Sequence, residues 1–196
     1  MPIELCKPPP APRNTFRRSG DSLAFETRWR SARKGGELIP TQRAFLAANS
    51  GAFVRNMLLL EVPGLGDKTM RVRMAGRLYR ESQPSEVVGS NYLDSLPSEY
   101  HQGAIKSAQL MAATPCGLWQ IMPVHNAKRF ARLTEITAFP ILGEDDVPLI
   151  ACYLHQWEAM LPSSLQVKKG ILVETAIEFR FVDVGAGEPF WPTNTP

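Results

Sequence analysis

Three histidines, three cysteines and one adjacent pair of acids are the residues best suited to chemistry in this chain. His101, His125 and His155 are scattered. Cys152 and His155 stand three apart, which on a strand sends them to opposite faces, so they cannot share one ion without a break in the strand. Cys6, Cys116 and Cys152 are odd in number and lack CxxC spacing. That argues against a disulfide scaffold and a structural zinc site, and suits a reducing compartment. Cys116 and Cys152 read as buried or half-buried inert thiols. Asp145-Asp146 is a formal candidate for acid–base work. It falls within Gly143-Glu144-Asp145-Asp146, however, a polar hairpin turn where water keeps both carboxylates ionised. There is no Gly-x-Ser-x-Gly elbow, no His-Glu-x-x-His and no glycine-rich phosphate loop. Gly64-Leu65-Gly66 and Gly185-Ala186-Gly187 read as turns. The expectation is no catalytic set and no metal site.

Ligand binding is better served. Tyr153, His155 and Trp157 share one face of a predicted strand, and Trp119 and Ile121 share a face of another. Aromatic side chains with polar tips on a concave sheet can orient a small molecule. The same residues can equally fill a core or an interface. With His101, at the start of the longest predicted helix, Trp119, Ile121, Tyr153 and His155 make up the candidate pocket set.

These residues need elements to position them. Asp21-Ser22 offers an N-cap to a helix with Phe25 and Trp29 at i, i+4 spacing and Gly35-Gly36 as its stop. A second short helix is expected over Thr41–Ala48. Met57–Val62 is an apolar run closed by a Pro63–Asp67 turn. Met70, Val72 and Met74 alternate with Arg71 and Arg73, which completes an antiparallel hairpin. Residues 77–96 read as broken helical turns. A longer helix from Ser98 to Ala113 carries Ile105, Ala108, Met111 and Ala112 on one face. Three strands follow, at about 118–124, 129–142 and 147–157. Alternation of Ile171, Val173, Thr175, Ile177, Phe179 and Phe181 predicts one long further strand. The sum is an α+β domain: an antiparallel sheet of five or more strands, helices on one face, an N-terminal helix and a C-terminal extra strand.

A chain of 196 residues fits one domain, and 44% hydrophobic with 21% charged residues is ordinary for a globular one. Pro8, Pro9, Pro10 and Pro12 make residues 1–20 a disordered arm. The domain is expected over 21–187, with a flexible tail at 188–196. The net charge of +3 comes largely from Arg13, Arg17, Arg18, Arg28, Arg30, Arg33 and Lys34. They read as a solvated arm and a polar helix face, not a specific nucleic-acid site. No run approaches the ~20 apolar residues that span a bilayer, and no signal peptide is visible at the N-terminus. A cytoplasmic location is expected.

The element order resembles the PAS fold, and that resemblance implies that the first and last core strands pair, so the strand beginning near Asn56 is expected beside that at 147–157. The segments Trp29–Pro40 (WRSARKGGELIP), Met74-Ala75-Gly76, Val88-Gly89, Phe139-Pro140-Ile141-Leu142 and Phe181–Gly187 (FVDVGAG), in that order over about residues 22–190, resemble a small alphaproteobacterial PAS subfamily. One departure is Ala44-Phe45-Leu46-Ala47-Ala48, where that family carries acidic residues and a proline; any role of those residues does not transfer. The resemblance implies a non-catalytic sensory or regulatory module in signalling, binding a small molecule or a protein partner. It also implies pairing through the helix before the first strand, here as a homodimer anchored by Leu23, Phe25 and Trp29. The flavin-binding asparagine-cysteine-arginine-phenylalanine motif of PAS photoreceptors is absent. Haem-binding relatives use a histidine on the long helix, which leaves His101 as the sole candidate; a solvent-facing role is the simpler reading, and no cofactor is expected. The alternative function is a small α+β enzyme acting on an apolar substrate in the pocket under the helices.

Overall fold

The computed structural model describes residues 16–49, 51–82, 86–126, 130–162, 171–173 and 175–190. Residues 1–15 of the expected arm and 191–196 of the tail lie outside them. Five α-helices are present among the described residues: α1 (Gly20–Ser31), α2 (Gln42–Ala48), α3 (Ala52–Arg55), α4 (Arg77–Ser82) and α5 (His101–Ala113). The strands are β1 (Met57–Glu61), β2 (Val72–Ala75), β3 (Cys116–Asn126), β4 (Phe130–Leu142), β5 (Pro148–Pro162), β6 (Ile171–Val173) and β7 (Glu178–Asp183).

They form one sheet in the order β2-β1-β5-β4-β3-β6, with β7 also paired to β3, and every pairing is antiparallel. The expected neighbour of the first strand is there: Met57 stands opposite Tyr153 and Leu60 opposite Ile150. The β4–β5 hairpin turns through a short 3-10 segment, Glu144–Asp146, with Asp146 at φ 59°.

Three expectations are corrected. The β2 alternation does not hold along its length. A bulge between Leu59 and Leu60 leaves Arg73 extra, so Met74 pairs with Leu59 on one face while Val72 pairs with Leu60 on the other. The long C-terminal strand is two strands. Val124 pairs with Val173 and Ile121 with Glu178, so four residues of the outer strand span two of β3. Pro123 accounts for this. Ile121 accepts from the Ile177 amide, so the odd positions of β3 face the outer edge, and at 123 the N–H is missing. Third, helices cover both faces. Phe25 and Trp29 of α1 with Phe45 of α2 pack on Leu59, Phe139 and Ala151. Ile105, Ala108 and Met111 of α5 pack over Leu58, Leu60, Ala138 and Ile150. Successive residues of each strand thus serve opposite layers.

The α1 layer is tied by polar contacts as well as apolar ones. Ser19, not Asp21 or Ser22, is the N-cap; its hydroxyl accepts from the Ser22 amide at 3.1 Å. Ser22 is then free to face inward, where its hydroxyl meets that of Thr137 at 2.6 Å. Arg30 and Arg33 donate to the carbonyls of Asp183 (3.0 Å) and Val184 (3.2 Å), and Arg28 to that of Ala48 (3.0 Å). Part of the expected solvated basic face is therefore spent on carbonyls of the chain itself. The Asp183 carboxylate in turn accepts from the amides of Gly185 (2.7 Å) and Gly187 (3.0 Å), which hold its pKa below the usual value. Gly185 and Gly187 have φ of 120° and 84°, a backbone open mainly to glycine.

Candidate functional site

The layer under α5 is not filled. Along its cavity side α5 presents Gly103, Ala104, Ser107 and Ala108, and one long side chain, Met111. Leu118, Ile136, Ala138 and Leu154 form the opposite wall on the sheet. The result is a cavity of about 440 Å³, within the range of small-molecule sites. A lobe of about 70 Å³ extends it toward α4; Tyr79, Tyr92, Met122 and Leu154 line both.

Polar groups in these walls are few. The Tyr79 hydroxyl is 3.1 Å from that of Ser95, and the Ser107 hydroxyl is spent on the Gly103 and Ala104 carbonyls. At the rim, the Tyr100 hydroxyl is 2.9 Å from that of Thr175. Tyr92 and Gln120 differ: both are half-buried, and among the described residues neither the Tyr92 hydroxyl nor the Gln120 side-chain amide has a hydrogen-bond partner. Burial raises the Tyr92 pKa well beyond the phenol range, and nearby Tyr79 and Cys152 act in the same direction. Glu99, exposed at the rim, is the charged lining residue; no Lys, Arg or His lines the cavity among the described residues.

Cys152 faces this space, and burial pushes its thiol up to about 12. The neutral thiol is therefore kept where an unfolded thiol, near 9.0, ionises. The folded-state pKa is the raised one, so this contribution to stability is complete below about pH 9 and is lost as pH climbs toward 12. At pH 8 iodoacetamide is expected to label Cys152 far more slowly in the native than in the urea-unfolded protein. Peptide mapping by mass spectrometry reads the ratio, and equal rates would contradict the burial.

The expected pocket residues lie elsewhere. Trp119 and Ile121 are fully buried on the α1 face. The Trp119 indole N–H donates to Glu135 Oε1 at 2.5 Å, and the Arg180 guanidinium sits 4.3 Å above its ring. Glu135 Oε1 also accepts the Ser19 amide at 3.0 Å. Tyr153 donates to Asp21 at 3.3 Å, and His155 Nδ1 is 3.1 Å from the same carboxylate oxygen. These four share a face, as their spacing requires, but it is the face under α1. The side chain of Trp157 lies outside the described residues. Their strand neighbours Leu118, Gln120, Cys152 and Leu154 are the ones that line the cavity. His101 is also not part of the lining; its Nε2 donates to the Leu96 carbonyl at 3.0 Å.

The expected interface residues are corrected in the same way. Phe25 and Trp29 are fully buried within their own chain, and of the three only Leu23, half-exposed, faces outward. Trp29 stacks on Phe139 at 5.0 Å and donates its indole N–H to the Pro140 carbonyl at 2.7 Å. The helix is a cap on its own sheet. Among the described residues no three His, Cys, Asp or Glu side chains converge as for a metal ion, and no helix is long and apolar enough to cross a membrane. No protein-family profile, no curated protein and no solved structure matches the chain.

Proposed function

We propose that this chain is a PAS-like sensory module that binds a small molecule under α5 and passes the signal to a protein partner, in the cytoplasm and without a catalytic step. The observation that carries this is the cavity of about 440 Å³ between a small-residue helix face and an apolar sheet face. The strand order β2-β1-β5-β4-β3, with the first and last core strands adjacent at the centre, supports the PAS reading, as does the helical connector between β2 and β3. The face against α1 is closed by aromatic packing; the face against α5 is left open. That division suits a domain in which one layer supplies stability and the other accommodates a guest.

Ala104 tests this reading. It is half-buried on the cavity side of α5, and Ala104→Phe places a ring in the space without disturbing the α1 layer. The variant is expected to unfold within a few degrees of the wild type and to lose retention of apolar compounds in native mass spectrometry. Unchanged retention would move the binding site elsewhere.

A further inference from the structure

We infer that the cavity selects an uncharged, largely apolar ligand carrying one hydroxyl or carbonyl group, which the Tyr92 hydroxyl meets; this rests on the small-molecule reading above. The selectivity follows from what the walls hold. No Lys, Arg or His lines the cavity among the described residues, so a carboxylate or phosphate entering it gives up water without gaining a counter-charge. Such a transfer costs several kcal/mol per ion. The charged side chain that is present, Glu99, stands exposed at the rim and repels anions on approach. An ammonium group deep in the cavity fares no better, because Glu99 lies outside the inner walls and the thiol of Cys152 is neutral there.

Within those walls, among the described residues, Tyr92 has a partnerless hydroxyl beside Tyr79 and Cys152, and the Gln120 amide is the other polar group without a partner. A phenol can donate one hydrogen bond and accept another. A ligand hydroxyl or carbonyl meets that capacity, while the rest of the ligand lies against Leu118, Met122, Ile136 and Leu154. The lobe under Tyr79 and Tyr92 lengthens the space, so an extended body is accommodated better than a compact one.

Calorimetric titration of the full chain with 1-decanol, decanoate, decylamine and naphthalene tests this. Decanol is expected to bind at least about tenfold more tightly than decanoate or decylamine, a difference of about 1.4 kcal/mol. Tyr92→Phe, which keeps the ring, is expected to weaken decanol about fivefold or more and leave naphthalene unchanged. Decanoate or decylamine binding as tightly as decanol overturns the charge selection. Equal loss of decanol and naphthalene in the variant overturns the role of the hydroxyl. If none of the four binds wild-type protein, the small-molecule reading falls with the inference.

Discussion

Trp29→Ala is expected to remove about 3–5 kcal/mol of stability while leaving the solution mass of the protein unchanged. The indole is fully buried, sandwiched between the Phe139 ring at 5.0 Å and the Arg33 guanidinium at 5.1 Å. Truncation opens a void that Phe25 and Phe139 cannot both move to fill, since each is held by further rings. It also strands the Pro140 carbonyl, whose indole partner at 2.7 Å is lost, adding roughly 1–3 kcal/mol if water does not reach it. Against a typical total of about 5–15 kcal/mol the loss is large. Trp29→Phe keeps a ring against Phe139 but loses the hydrogen bond and part of the buried volume, so its stability is expected to fall between those of the wild type and Trp29→Ala. Urea melts report the stability, and light scattering on the eluting protein at tens of micromolar reports the mass. A lowered mass with an unchanged melt would restore Trp29 to an interface between chains.

Gly76→Ala is expected to be as damaging, by a different route. A Cβ built on Gly76 falls 2.3 Å from the Arg55 carbonyl oxygen and 2.4 Å from that of Val54. Both are backbone atoms at the end of α3, and neither can rotate away as a side-chain tip does. The Gly76 amide is itself fixed, donating to the Met57 carbonyl at 2.7 Å. Relief requires moving α3 relative to the β1–β2 hairpin, so the cost is set at or above the upper end of the ~1–3 kcal/mol typical of overpacking. Gly103→Ala is the control: a Cβ there meets nothing within 4 Å, and in a helix it is expected to stabilise by up to about 1 kcal/mol. Thermal melts of the two variants side by side decide it. A Gly76→Ala protein as stable as Gly103→Ala would show that the hairpin and α3 are not in the contact described.

Much of this architecture is legible from alternation and punctuation. The tight Gly143–Asp146 turn and the buried face of Ile105, Ala108 and Met111 follow from residue type and spacing, whereas the pairing of Met57–Glu61 with the strand at 148–162 is expected only from the PAS resemblance. Alternation also groups Trp119 with Ile121 and Tyr153 with His155 correctly. It does not say which of two covered faces is hollow, because both layers are apolar and the period is the same on either side. The signal that decides is on another element: the small residues Gly103, Ala104 and Ser107 of α5, which line the space between that helix and the sheet. Pro123 likewise marks the break between β6 and β7, but only once its partner strand is known. The Arg73 bulge leaves no mark in the Met70, Val72, Met74 pattern at all, and only pairing with Leu59 and Leu60 exposes it.

The segments that carry the family resemblance prove to be neighbours. Trp29 meets Phe139 and Pro140, and Arg30 and Arg33 meet Asp183 and Val184. The partners of α1 are thus separated from it by 111 residues at Pro140 and 153 at Asp183. A twelve-residue helix is marginal alone in water, and only part of its packing, on Phe45, Phe53, Met57 and Leu59, comes from residues close in sequence. At a synthesis rate of about 5–20 residues per second, α1 waits roughly 8–30 s for the carbonyls that hold its arginines. During that interval Phe25 can pack on Phe45 and Phe53, but Trp29 lacks the Phe139 ring and the Pro140 carbonyl that hold it in the finished domain. The same element that stabilises the finished domain is therefore among the last to fold.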